Sequence, residues 1–148
     1  MDYIKASKKT AITRKKPSVP TRWIESKGGL FGECLDYGCG KGLDADVYRM
    51  DKYDPNYFPE KPDKQYDTIV CNYVLNVLLE KERDKVMQDI GGMLKESGVA
   101  YFSVRRDAFK EGWSNNKTYQ EMVYLDLMSV KSTAQYQIYR GRKCELIK

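Results

Sequence analysis

Short apolar segments alternate with a helical pattern along the middle of the chain. Apolar positions predict strands over residues 34–37, 50–54, 66–71 and 99–104. Between them, residues 79–96 show helical spacing, and Asp44 is placed to cap a short helix that runs through Arg49. Two later segments, 122–128 and 134–140, are rich in Tyr, Val, Leu and Ile and predict an antiparallel pair. This order predicts an α/β domain in which helices cover both faces of a mostly parallel sheet and a C-terminal antiparallel hairpin completes it.

Length and composition fit one globular domain. The chain has 148 residues, of which 41% are hydrophobic, and it contains twelve Tyr. Its longest uncharged apolar run, residues 68–79, is too short to span a bilayer, where roughly 20 residues are needed. Residues 1–5 lack the apolar core of a signal peptide, so we expect no export and no membrane association.

Histidine is absent, and the cysteines are few and scattered. A chain with no His cannot use a His-based triad, a His-ligated metal or a histidine general base. Four cysteines, at positions 34, 39, 71 and 144, form no C-x-x-C pair, so neither a zinc site nor a disulfide framework is expected. A reducing cytoplasm is the compartment that this pattern favours.

Positive charge is concentrated at the N-terminus. Residues 1–27 carry eight Lys and Arg against Asp2 and Glu25, a balance of +6, whereas the whole chain is +5. We therefore divide the chain into a basic N-terminal arm, residues 1–27, and a near-neutral domain, residues 28–148. Such an arm is able to bind a polyanion such as nucleic acid, and the alternative is a solvated terminus without a partner.

A glycine-rich turn follows the first predicted strand. The pattern Asp36-x-Gly38-x-Gly40-x-Gly42 lets the backbone approach a ligand and leaves helix amides pointing at it. A P-loop requires Ser or Thr after the lysine, but Lys41 is followed by Gly42. A dinucleotide fingerprint requires glycine at position 43, where Leu43 stands.

Residues 35–42, Leu-Asp-Tyr-Gly-Cys-Gly-Lys-Gly, resemble motif I of the class I, Rossmann-like S-adenosylmethionine-dependent methyltransferases. The resemblance extends to Asp54 at the end of the second strand, to residues 66–72 and to residues 95–98, so it covers about residues 30–105. It implies a Rossmann-like methyltransferase fold that binds S-adenosyl-L-methionine and transfers its methyl group by in-line displacement.

A closer likeness involves small phage-type methyltransferases and a methyltransferase family associated with DNA phosphorothioation. It rests on residues 9–14, 18–20, 35–42, 53–55, 73–77, 104–107 and 118–120. This likeness implies the same fold without identifying a substrate.

The resemblance also implies roles for individual residues. Gly38, Cys39 and Gly40 contact the cofactor, Asp36 helps to hold its amino-acid end, and Asp54 binds its ribose. Two further candidates rest on position and chemistry. Asn72, at a strand end, is a candidate cofactor contact, and Arg14, within residues 10–14, is a candidate to fold over the site and pair its guanidinium with the cofactor carboxylate. The alternatives are local: Asp36 caps the turn, Asp54 opens a turn before Pro55, Asn72 satisfies buried backbone groups, and Arg14 is a solvated charge.

Arg106 and Asp107 are the candidate catalytic residues. Together with Arg105 they follow the 99–104 strand, at the sheet edge where open α/β folds bind their ligands. The arginines would hold an anionic acceptor and Asp107 would accept a proton; surface salt links are the competing interpretation.

Two spacings depart from the family pattern. Asp54 follows Gly42 by only 12 positions, so the first crossover helix must be short. Residues 55–65 are too few for a helix plus a strand, since a crossover alone takes at least 10–12 residues. We therefore predict a trimmed sheet that lacks the third strand of the family.

Three hypotheses follow for function. The first is a methyltransferase with an uncovered site that suits a nucleic acid, with a small phenol, amine or acid under the folded arm as the alternative acceptor. The second is a non-catalytic S-adenosylmethionine-binding accessory or regulatory protein. The third is an enzyme that cleaves the cofactor itself.

Overall fold

A computed structural model of the chain describes residues 14–107, 109–114 and 118–147. Its strands are β1 (Cys34–Tyr37), β2 (Asp51–Tyr53), β3 (Tyr66–Asn72), β4 (Leu94–Arg105), β5 (Gly112–Trp113), β6 (Tyr119–Gln120), β7 (Met128–Ser132) and β8 (Tyr136–Arg142). Six of them form one sheet in the order β2-β1-β3-β4-β8-β7, while β5 and β6 pair separately. The first four strands of the sheet are parallel, and β8 and β7 add antiparallel at one side. The predicted α/β fold with a C-terminal antiparallel hairpin is confirmed.

Helices cover both faces of this sheet. They are α1 (Val19–Ser26), α2 (Leu43–Tyr48), α3 (Glu80–Met93) and α4 (Lys143–Leu146), with a 3-10 turn at Leu75–Val77. Residues Ile69 and Val70 of β3 point to opposite faces, as the period of two requires. One face packs against α1 and α2, and the other packs against α3 and α4. No helix in the described part of the chain is long and apolar enough to cross a membrane.

The sheet ends at β2, as the short spacing predicts. Residues 55–65 contribute no strand to it, and this segment holds only an isolated bridge between Asp54 and Phe58. The third strand of the family is therefore missing, and β2 is the edge strand of the sheet.

Two element predictions were wrong. Residues 122–127 form no strand, because Val123, Leu125 and Leu127 cover the core cluster on the α3 side instead of pairing along their backbone. The helix predicted over residues 79–96 ends at Met93, because Leu94 already pairs with Tyr66. Gly98 is consequently not a helix stop; a Cβ there would lie 2.8 Å from the Tyr66 carbonyl oxygen, so glycine permits the close approach of β3 and β4.

Candidate functional site

The glycine loop, residues 38–42, joins β1 to α2 at the edge where the parallel strands end. Gly38, Gly40 and Gly42 have φ of 80°, 56° and 89°, a left-handed conformation that favours glycine. The amides of Gly38 and Cys39 donate to the Tyr53 carbonyl oxygen at 2.7 and 3.1 Å. The loop is thereby fixed to the end of β2 with its backbone turned to the edge.

Asp54 connects this loop to the end of β2. Its side chain is only 2% exposed. The Gly40 amide donates to Oδ2 at 2.9 Å, and the amides of Asn56 and Tyr57 donate to Oδ1 at 2.9 and 3.2 Å. Three neutral donors thus hold the carboxylate directly beside the glycine loop.

Asp36, in β1, is a second buried carboxylate beside the loop. Burial raises the pKa of Asp36 well above its usual range, and the nearby carboxylates of Asp44 and Asp54 raise it further, whereas the Arg14 guanidinium lowers it. Arg14 therefore lies close enough to the carboxyl end of β1 to act on this group, although its own side chain is exposed. An added cation beside Asp36 would favour its ionised form.

Cys39 lies within the loop with its side chain partly exposed. Burial raises the pKa of its thiol, and the carboxylates of Asp36 and Asp54 act in the same direction. The side chain therefore stays a neutral thiol, and any contact with an anionic ligand group would come from the backbone.

Asn72 ends β3 at the same edge, and its side chain is engaged inside the protein. The Ser103 hydroxyl donates to Oδ1 at 2.7 Å, and Nδ2 donates to the Thr21 hydroxyl at 2.6 Å. The next residue, Tyr73, has a φ of 58°, and burial raises the pKa of its phenol to about 12. The end of β3 is thus fixed to α1 and β4.

Asp44 does not cap its helix, contrary to the prediction. It is 7% exposed, and its carboxylate accepts bonds from the Ser18 amide, the Ser18 hydroxyl and the Thr21 hydroxyl. The sequence analysis did not predict that Ser18, Thr21 and Asp44 contact one another. The available signal was that all three are short polar residues within segments that otherwise pack on the sheet. These contacts also mean that α1, although counted with the basic arm, is built into the domain.

Arg106 and Asp107 follow β4. Asp107 lies near Tyr73, where its charge adds to burial in raising the pKa of the phenol, against the effect of Arg14. Asp107 is paired with Arg105 at 2.6 and 2.9 Å, and this hydrogen bond lowers the pKa of the Asp107 carboxyl. Arg106 donates to Gln137 and to the Tyr139 hydroxyl at 2.9 Å each, and its guanidinium lies 4.3 Å from the centre of the Tyr124 ring. Its side chain therefore lies on the α3 face of the sheet and holds the segment before β7.

A small hairpin of β5 and β6, which the sequence did not predict, lies at the same edge. Asn76 lies in the turn after β3, and its side-chain amide donates to Gln120 at 2.9 Å. The backbone carbonyl oxygen of Asn76 accepts from the Glu121 amide. Glu121 is paired with Arg83 at 2.8 Å. The hairpin presents Trp113, half-exposed and in ring contact with Tyr119.

The structure thus brings Asp36, the glycine loop, Asp54 and Arg14 to one place. Asn72 is close to them but bound internally, and Arg106 faces the other side of the sheet. Residues 1–13, which make up most of the predicted arm, lie outside the described residues. Among the residues that are described, no group of three His, Cys, Asp or Glu is placed to hold a metal ion.

Comparison with known proteins identifies the family of the chain and solved structures with a similar fold. A family model described as "Methyltransferase domain" matches residues 9–143. Among the curated proteins, none matches the sequence.

Several solved structures are similar in fold. The chain resembles the 1,6-didemethyltoxoflavin-N1-methyltransferase of Burkholderia thailandensis, solved with S-adenosylhomocysteine, with a TM-score of 0.61, 15% identity, and coverage of 82% of this chain and 75% of that one. It also resembles DhpI, solved in a DhpI-SAM-HEP complex, with a TM-score of 0.56, 10% identity, and coverage of 82% and 83%. A third similar structure is the N-methyltransferase NodS of Bradyrhizobium japonicum, with a TM-score of 0.50, 10% identity, and coverage of 83% of each chain. These likenesses show the fold, and the neighbours hold S-adenosylmethionine or S-adenosylhomocysteine, in agreement with the predicted cofactor.

Proposed function

Since the chain belongs to the Methyltransferase domain family, we propose that it is an S-adenosylmethionine-dependent methyltransferase whose cofactor lies on the glycine loop. The observation that supports this most is the buried Asp54 carboxylate, held beside the loop by the Gly40 amide. A carboxylate accepts about four hydrogen bonds, so a ribose hydroxyl is able to join the three amides. When bound, the cofactor supplies a methyl group already activated on a sulfonium.

The remaining residues fit the other end of the cofactor. Asp36, buried among carboxylates with a raised pKa, would gain from the cofactor's ammonium group. Arg14 lies near Asp36 and would pair with the carboxylate of the cofactor's amino-acid end. Gly38, Cys39 and Gly40 would contribute backbone contacts. Together these residues bind and orient, which is the main task when the methyl group is already activated.

A strong general base is not part of this proposal. Asp107 is the candidate proton acceptor, but its pairing with Arg105 lowers its pKa and weakens it as a base. An acceptor atom that carries a free lone pair at neutral pH requires no proton removal. Arg106, held on the α3 face by Gln137 and Tyr139, would shape the acceptor side by fixing the segment before β7.

For the acceptor we propose a nucleic acid. Lys15 and Lys16 are exposed and continue the basic arm to the start of α1, at the edge that holds the glycine loop. Consecutive cations of this kind fit a phosphate backbone. The assay is transfer of labelled methyl groups to single-stranded DNA, double-stranded DNA, RNA and pooled small phenols, amines and acids. Labelling of the small molecules alone would overturn the nucleic-acid proposal, and binding of the cofactor without labelling of any acceptor would favour an accessory role.

Replacing both Lys15 and Lys16 by alanine should weaken nucleic-acid binding by a simple loss of phosphate contacts. The slope of log affinity against log salt should become shallower by about two, one unit for each lysine. The matched control is Lys81→Ala with Lys85→Ala, which removes the same charge from the exposed side of α3. Equal slopes for the two double variants would contradict a role for the arm.

The compartment that we propose is the cytoplasm. The four cysteines are free thiols, and Cys71 is fully buried. A reducing environment suits thiols that are not paired.

A further inference from the structure

Five polar side chains from four elements form one buried network beside the candidate site. They are Ser18, which precedes α1, Thr21 of α1, Asp44 of α2, Asn72 of β3 and Ser103 of β4. All but Asn72 are less than a tenth exposed. The network lies between α1 and the carboxyl edge of the sheet.

The protons in this network can be assigned without conflict. The hydroxyls of Ser18 and Thr21 donate to the Asp44 carboxylate at 2.5 and 2.7 Å, and the Ser18 amide donates to it at 2.8 Å. The Asn72 amide then donates to the Thr21 and Ser18 oxygens at 2.6 and 3.4 Å, while Ser103 donates to Asn72. Every donor in this assignment has an acceptor, so several hydrogen bonds hold the start of α1.

This arrangement places the chain that leads into α1. The bond from the Ser18 amide to Asp44 fixes the backbone only four residues after Arg14. The Arg14 charge acts on Asp36 at the end of β1 and on Tyr73 at the end of β3. Asp44 accepts its bonds from two hydroxyls and an amide, so neutral donors of this network hold its carboxylate in place.

We infer that Thr21, Asp44 and Asn72 are positioning residues that hold Arg14 over the place of the cofactor's amino-acid end. The inference rests on the proposed function, and it assigns to Asn72 a role through α1 in place of direct cofactor contact. The affinity for the amino-acid end of the cofactor then depends on the Ser18 and Thr21 hydroxyls, which make no contact with the cofactor in this proposal.

Two ligands separate this role from general support of the fold. S-adenosylhomocysteine carries the amino-acid end, whereas 5′-methylthioadenosine shares the adenosine and lacks that end. In the full chain, Thr21→Val should weaken S-adenosylhomocysteine binding about tenfold, since the loss of a hydrogen bond to a charged group frees the start of α1. Binding of 5′-methylthioadenosine should change by less than about twofold, within the usual error of additivity.

The control and the second arm use residues of the same region. Ser26→Ala removes a hydroxyl from the exposed end of α1 and should change neither affinity. Arg14→Ala, at an exposed side chain, should show the same selective loss, and adding Thr21→Val to it should cost little more. If Thr21→Val does not fold, Asn72→Ala is the test, because it removes the bond from the Asn72 amide to the Thr21 hydroxyl.

The outcomes separate the inference from the proposed function. Equal losses for both ligands, or no selective loss in Thr21→Val whatever Arg14→Ala shows, would overturn the inference while leaving cofactor binding intact. Failure of the wild-type chain to bind either ligand would overturn the proposed function and this inference with it.

Discussion

Replacing Asp54 by alanine is expected to weaken S-adenosylhomocysteine binding at least tenfold, or by about 1.4 kcal/mol. The carboxylate would lose its bond to the ribose, and the amides of Gly40, Asn56 and Tyr57 would lose their common acceptor. Because Asp54 is 2% exposed, the loop amides would be left without a partner of equal strength. Isothermal titration calorimetry on the full chain measures the dissociation constant directly.

The matched control for this variant is Asp46→Ala. Asp46 is an exposed carboxylate of α2 that pairs with Lys52 on the surface. An exposed pair contributes little, so the affinity of this variant should equal that of the wild type. A similar loss in both variants would indicate a general charge effect, and an unchanged Asp54→Ala variant would remove the ribose contact from the account.

Replacing Asp36 by asparagine is expected to stabilise the fold and to weaken cofactor binding. The pKa of Asp36 is raised in the folded chain by burial and by the carboxylates of Asp44 and Asp54, against the opposing charge of Arg14. The folded state therefore holds more protons than the unfolded chain, and its stability falls as the pH rises from the ordinary aspartate range through the raised pKa. Asparagine does not titrate, so the variant avoids this loss of stability. Its free energy of unfolding at neutral pH should exceed that of the wild type by about 0.5–2 kcal/mol, a common size for a stabilising change at a functional site.

Urea unfolding from acid to about pH 8 tests this sign. The difference between wild type and Asp36→Asn should grow with pH, whereas Asp46→Asn, at an exposed position, should follow the wild type. The Asp36→Asn variant should also bind S-adenosylhomocysteine less tightly, because the carboxylate that faces the ammonium group of the ligand is gone. A variant less stable than the wild type at every pH would show that the Asp36 carboxylate supports the fold.

Local patterns were sufficient to predict the centre of the fold. The apolar β3 segment, the glycine loop and the short link between Gly42 and Asp54 each report a constraint that acts within a few residues. They predicted the parallel strands, the glycine turn and the missing third strand. Segment 122–127 was misread because alternation of apolar residues records burial on one side and not backbone pairing.

The site was predicted less completely, since its remaining parts depend on contacts between distant segments. Asp44 meets Ser18 across 26 positions, and Asn72 meets Thr21 across 51. The sequence alone gives no means of pairing such residues, so Asp44 was interpreted as a helix cap. Arg106 was placed at the correct end of β4, but only the alternation along β4 decides that it faces Tyr139 and not the glycine loop.

Asp44 and Asn72 both bond to side chains at the start of α1, so this helix is part of the site. Without Ser18 and Thr21, the carboxylate of Asp44 would be buried with no donors, at a cost of several kcal/mol. The start of α1 therefore belongs to the same cooperative unit as the ends of β1 and β3. Cofactor binding should consequently stabilise the start of α1 together with the ends of β1 and β3.

Titration of the wild-type chain with S-adenosylhomocysteine, followed by amide NMR, tests the central claim most directly. A 17.2 kDa chain gives resolved spectra, and the glycine amides report on the loop itself. We predict saturable one-to-one binding, with the largest shifts at Gly38, Gly40 and Asp54. An unchanged spectrum at about millimolar ligand, or shifts confined to residues away from this edge, would contradict the assignment of the glycine loop as a methyltransferase cofactor site.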